Sequence, residues 1–247
     1  MSRFAIGVAL TLLLLLSLLV SAPARLLNRV LPGDQVLMQG FAGTLWRGSA
    51  SRCLVQVGPG YLHLGAVQWS LEPLSLLLLA PRLALNSVWG NQVISGELVL
   101  RGRQDIDLYD IEAVVAADLL RQFAPVALTG SLSMQLSSLQ LRDGLPHAGE
   151  GRLVWQNGGW QSPQGLLPLG SYALEYQQAP GAALEAEVLT LSGPLQASGS
   201  AQLQGRVYQV NILLGSQGPM DIQLEQALSL IAAPESGAYR MKLNGEF

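Results

Sequence analysis

The chain has 247 residues, of which only 13% are charged, and a formal net charge of −3. Positive charge is almost all arginine, with Lys242 the single lysine, and it forms neither a stripe nor a run, which speaks against nucleic acid as a partner. One cysteine, Cys53, excludes an intrachain disulfide and a Cys-rich metal site.

The first element is the most distinctive. Residues Phe4 to Ala22 read FAIGVALTLLLLLSLLVSA, with no charge inside. At about 1.5 Å rise per residue, such a helix spans the roughly 30 Å hydrocarbon core of a bilayer. It also satisfies its own backbone, which lipid cannot do. The expectation is a transmembrane helix with ends at Phe4 and Ala22, residues 1–24 forming the anchor and 25–247 one large body outside it. A cleavable signal peptide is the rival, with Arg3 alone in its n-region and an Ala-Pro-Ala stretch at Ala22–Ala24. The apolar run is longer than the usual h-region, which favours an uncleaved anchor. Arg25 and Arg29 after the run nearly balance the amino terminus and Arg3, so charge alone leaves the orientation open. The short tail before the helix favours the body outside.

From about Gln35 the chain reads as short apolar/polar alternations broken by Gly, Pro and Asn, the signature of strands and turns. Leu132, Met134 and Leu136 alternate with Ser and Gln. The phase slips at Ser137-Ser138 and resumes at Leu139 and Leu141, which predicts a β-bulge. Further strands are expected at Leu98 and Leu100, at Ile106 and Leu108, over Leu184–Leu191, and at Val210, Ile212 and Leu214. The last carries Tyr239, Met241 and Leu243. Turns are expected at Gly58-Pro59-Gly60, Asn157-Gly158-Gly159, Pro180-Gly181 and Gly218-Pro219.

Two helices are predicted, Val114–Phe123 stopped by Pro125, and Asp221–Ile231 with Asp221 near its start and Pro234 beyond its end. The leucine run Leu76–Leu79, between Pro73 and Pro81, reads as a buried turn or short helix, with a membrane-touching loop as the alternative. The fold class is therefore mainly β, a curved or twisted antiparallel sheet with few short helices. Gly43-Thr44-Leu45-Trp46 is echoed at Gly151-Arg152-Leu153-Val154-Trp155, hinting at two similar halves, 25–145 and 146–247, divided near Leu145-Pro146-His147.

No catalytic constellation emerges, and the expectation is a non-enzyme without cofactor or metal. His63 and His147 read as surface or packed residues. There is no Gly-x-Ser-x-Gly elbow and no Gly-Lys-Ser/Thr phosphate cradle. Asp105, Asp107 and Asp110 lack the glycine and terminal glutamate of a calcium loop and read as solvated strand positions. Cys53 reads as a small core residue on a strand. The five tryptophans (Trp46, Trp69, Trp89, Trp155 and Trp160) read as core anchors or cross-strand partners rather than as a sugar-stacking groove.

Three segments carry a family resemblance: GTLWRGSA (Gly43–Ala50), VQWSLEPLSLLLLAPRLAL (Val67–Leu85) and GRLVWQNGGW (Gly151–Trp160). With the anchor, they resemble the type II secretion system protein N family (general secretion pathway protein N) of Gram-negative bacteria. The residues that carry the likeness are Gly43, Trp46, Gly48, Trp69, Pro73 and Trp155. The resemblance implies a single-pass inner-membrane protein with its body in the periplasm. It also implies other type II secretion subunits as partners in exporting folded proteins across the outer membrane. It supplies no active residues. The Trp and Pro segments are also similar, more loosely, to bacterial envelope proteins with lipid-conducting β-grooves, so lipid binding or transfer is the alternative function.

Overall fold

The computed structural model describes residues 3–57, 60–102, 104–122, 127–162, 164–216 and 218–246. Helix α1 (Arg3–Val20) opens the chain, followed by a 3-10 turn (Ala24–Leu26) and α2 (Leu27–Val30). Strands β1 (Val36–Gly43), β2 (Arg47–Val57) and β3 (Gly60–Leu71) precede α3 (Pro73–Leu77). Then come β4 (Arg82–Trp89), β5 (Gln92–Leu100), β6 (Ile106–Ala116), a 3-10 helix (Ala117–Gln122), β7 (Leu128–Arg142), β8 (Leu145–Ser162) and β9 (Gly165–Gln178). β10 (Leu184–Ser192), β11 (Leu195–Gln204), β12 (Val207–Ser216), α4 (Ile222–Ser229), β13 (Ala233–Glu235) and β14 (Ala238–Glu246) complete it.

The alternation is realised as one 14-stranded antiparallel sheet, in sequence order except that β14 lies between β12 and β13. Its register explains the composition. One row across the sheet reads Phe41, Ala50, Val67, Ser87, Ile94, Ala113, Met134, Leu153, Leu174, Val188, Gly199, Ile212, Met241. The row one residue away reads Ala42, Ser49, Gln68, Asn86, Ser95, Glu112, Gln135, Arg152, Glu175, Glu187, Ser200, Asn211, Lys242. Successive side chains point to opposite faces. From β1 to β14 one face is therefore mainly apolar and the other mainly polar. Ser87, the polar exception on the first row, is buried and its Oγ donates to the Leu64 carbonyl at 2.6 Å.

Two covers lie on the apolar face. At the β1–β4 end, Ala24 and Leu27 pack with Ala50, Trp69, Phe41 and Leu85. At the far end, Leu228 and Leu224 of α4 pack on Leu169, Tyr172, Leu195 and Ala197. The Tyr172 hydroxyl sits 2.9 Å from both the Leu169 and Leu195 carbonyls, and burial pushes its pKa up to about 12. Between the covers, Ile94, Met134, Leu153 and Leu174 stay half-buried. The accessible surface is 15655 Å². A close-packed chain of the same 26.3 kDa would expose about 10,600 Å². The excess is what the exposed α1 and a mostly one-layer sheet leave in solvent.

Several local expectations change. Val114–Phe123 is not a helix. β6 runs to Ala116 because Val114 and Val115 pair with Ser133 and Leu132, and sheet pairing outweighs the helical spacing. Only the 3-10 helix Ala117–Gln122 follows, and Phe123 lies outside the described residues. Asn157-Gly158-Gly159 is not a turn but an irregularity inside β8, with Asn157 at φ 49°. Gly58-Pro59 lies outside the described residues. The slip at Ser137 is the expected bulge, Leu136 pairing with Gly151 and Ser138 with Glu150. Leu145-Pro146-His147 opens β8 within the continuous sheet. α4 forms where predicted, its Asp221 carboxylate accepting from the backbone N–H of Gln223 at 2.8 Å. Cys53 is buried on β2, and burial pushes its thiol pKa up.

Asp107 is also corrected. It is 1% exposed rather than solvated, because Arg101 and Arg142 close over it from the β5–β6 turn and the end of β7. Burial alone would raise its pKa. Hydrogen bonds and charge from Arg101 and Arg142 outweigh that and hold it below the usual carboxylate range. A lowered native pKa means the unfolded chain takes up the proton first as pH falls. The stabilisation is thus fully present above about pH 4 and is lost as pH drops through the native value. Asp107→Asn is expected to cost about 1–3 kcal/mol at pH 7. Its difference from the parent should shrink steadily in unfolding curves taken at successively more acid pH.

Candidate functional site

The residues singled out by the sequence converge on one end of the sheet. The β1–β2 turn begins at Gly43, whose φ of +82° suits glycine and whose Cβ would lie 2.6 Å from the Arg47 carbonyl. Thr44 closes the turn, its N–H donating to the Arg47 carbonyl at 2.9 Å while its hydroxyl accepts from Arg47 N–H at 3.1 Å. The other groups of this turn hold different elements. Leu45 N–H donates to the Ala22 carbonyl at 2.8 Å, and the Trp46 indole donates to the Leu19 carbonyl at 2.8 Å. The Leu45 carbonyl accepts from the Trp69 indole at 3.0 Å, and the Trp46 carbonyl accepts from Leu71 N–H at 2.7 Å. The turn thus clamps the end of α1 to the start of the sheet.

Gly48 sits under the Trp69 ring, where a Cβ would come within 2.4 Å of Cζ2. Trp69 is buried, edge-on to Phe41 at 6.3 Å. Helix α1 stops at Val20, two residues short of the predicted end at Ala22. Ala22 is instead buried, and Pro23 bridges to Thr44. The apolar side chains described on α1, including Leu10, Leu13, Leu14 and Leu18, are all exposed.

Beside the clamp, Pro73 starts α3, where a missing N–H costs nothing. Ser75 is buried, its hydroxyl donating to the Glu72 carbonyl at 2.6 Å and accepting from Arg82 N–H at 2.8 Å. α3 ends in a left-handed turn: Leu79 N–H bonds the Leu76 carbonyl and Ala80 N–H the Ser75 carbonyl, both at 3.1 Å. The residue in the left-handed position is ordinarily glycine. Here it is Leu79, at φ 53°, a choice costing about 1–2 kcal/mol. The leucine run is a short helix as predicted, but it is not buried. Leu74, Leu77, Leu78 and Leu79 are 75%, 80%, 80% and 84% exposed, because α3 stands on Ser75 alone.

The structure thus brings together Gly43, Trp46, Gly48, Trp69 and Pro73. Trp155 lies apart, in the far cluster, its indole donating to the Thr129 carbonyl at 2.9 Å and its ring 5.7 Å from Tyr172. Its echo of the Trp46 segment does not extend to structure, since one is a turn and the other mid-strand. Trp160 packs on the same cluster, while Trp89 is half exposed and stacks on His63 at 5.4 Å. Sequence reasoning missed the role of Ser75 and preferred a buried setting for the leucines, whose outward set fits its alternative of an exposed loop. Among the described residues no three His, Cys, Asp or Glu side chains converge as a metal site.

The model of the family "Type II secretion system (T2SS), protein N" matches residues 34–242, from just before β1 into β14. The chain belongs to the type II secretion system protein N family. It is 30% identical over 239 residues to "Type II secretion system protein N" of Aeromonas hydrophila, covering 92% of each chain. It is 28% identical over 246 residues to the protein of that name from Pectobacterium carotovorum subsp. carotovorum, covering 97% of this chain and 95% of the other. The Vibrio cholerae relative is 26% identical over 259 residues, covering 97% of each. No solved structure matches it. The family match includes the turn, the tryptophan clamp and the leucine loop of this member.

Proposed function

We propose that this member of the protein N family is a non-enzymatic, single-pass inner-membrane subunit. Its sheet stands in the periplasm and makes protein contacts for the export of folded proteins. The observation that carries this reading is α1. It is an 18-residue apolar helix, about 27 Å long, whose described side chains meet solvent rather than the sheet. Of its two described hydroxyls, Thr11 and Ser17, the first donates to the Gly7 carbonyl at 3.0 Å. Among the described residues no helix is long and apolar enough to count as a membrane span, several α1 side chains lying outside them. The test is topology. A periplasm-active phosphatase fused after Phe247 is expected to be active, and cross-linking in secreting cells to capture other type II secretion subunits. An inactive fusion would put the sheet in the cytoplasm and end this reading.

A second reading, lipid binding, is favoured by the row from β1 to β14, apolar but for the buried Ser87. Leu136 faces this side but is buried, so a charge there would disturb the fold itself. Met134 and Leu153 are half-buried on the same face. Gently extracted protein is expected to carry phospholipid in native mass spectra, and Leu153→Glu to lose it with its circular dichroism unchanged. Lipid-free spectra from the parent chain would rule this reading out.

A further inference from the structure

We infer that the β3–β4 loop is a second membrane contact: Leu74, Leu77, Leu78 and Leu79 enter the bilayer that holds α1. This deepens the anchor reading and rests on it. Three observations lead there. The loop and the end of α1 leave the sheet at the same end, joined through one residue, since Trp46 bonds Leu19 by its indole and Leu71 by its carbonyl. The loop is built rather than slack: Pro73 starts it, buried Ser75 latches it to Arg82, and a full helix-ending turn closes it. That turn then holds a leucine, in a conformation that suits glycine, with its side chain 84% in solvent. At 75–84% exposure, Leu74, Leu77, Leu78 and Leu79 gain little packing from the described residues. A bilayer would supply it, because large apolar groups on a short amphipathic element bury readily at its surface. Exposed Arg25, Arg29 and Arg82 flank the two apolar elements at this end and suit lipid phosphates.

The test uses the full-length chain in vesicles of phosphatidylethanolamine and phosphatidylglycerol containing nitroxide-labelled phosphatidylcholine. A Cys53→Ala background carries one environment-sensitive fluorophore at a time, on Leu78→Cys, on Leu14→Cys in α1, or on Asn91→Cys in the β4–β5 turn at the opposite end. Position 78 is expected to show blue-shifted emission and quenching of about two-fold or more, and position 91 neither. Adding Leu74→Gln, Leu77→Gln and Leu79→Gly should abolish quenching at 78 without lowering the thermal midpoint. Quenching at 14 but not at 78 would overturn the loop contact and leave the anchor standing. Quenching at neither would overturn both. Position 78 shielded only when other secretion subunits are added would make the loop a protein contact and overturn the inference.

Discussion

Trp69→Ala is expected to lower the unfolding free energy by about 3–5 kcal/mol, read from denaturant curves in a mild detergent. The ring fills the space between Gly48, Phe41 and the Ala24–Leu27 cover, and its indole holds the Leu45 carbonyl. Truncation would leave a cavity at a place where the sheet has one of its two covers, so there is little other packing to collapse into it. The reverse change should also be severe. Gly48→Val would drive a side chain into the Trp69 ring and into the Thr44 and Ala42 carbonyls, each under 3.0 Å from the ideal Cβ. Backbone carbonyls cannot move aside as a flexible side chain can. A loss under about 1 kcal/mol for Trp69→Ala would mean that the ring is decoration, not a support.

Replacing residues 1–24 by a cleavable signal sequence should reduce secretion in a null strain to the uncomplemented level, a fall of at least about ten-fold. On the proposed anchoring, tethering would confine the sheet to a thin layer beside other anchored subunits and raise its effective concentration there without any new contact. The clamp adds orientation, because Leu45 and Trp46 hold both ends of the Leu19–Ala22 segment. A freely diffusing sheet loses both advantages. Full secretion with the detached body, exported at normal level, would show that tethering is dispensable.

Period-two patterning made much of the fold readable. Leu132, Met134 and Leu136 lie on the apolar face, and the phase slip at Ser137 is a bulge, because both are local properties of a half-buried ladder. Asp221 was legible as a helix start for the same reason, since its carboxylate bonds residues two and three ahead. What stayed hidden was set at long range. Val114 and Val115 carry helical spacing, yet their partners Ser133 and Leu132 decide for strand. Asp107 looks solvated beside Ile106 and Leu108 until Arg142, 35 positions on, folds over it. The leucines after Pro73 read as core or as an exposed loop, and only the short stalk of Ser75 decides that they point away. The clamp was visible as a set of residue types, but its purpose was not, because Trp46 acts on a carbonyl at Leu19 on the far side of a proline.

The two rims of the sheet are unequal. β13 is three residues long and centred on Pro234, which has no N–H to offer a newcomer. Arg240 pins it down through Glu235 and reaches Asn211 at 3.0 Å. β1 carries eight residues and no proline. Copies joining rim to rim would need both sides open to grow into a fibre. With one side stoppered, lateral addition ends after a single step, and runaway polymerisation along the sheet is avoided.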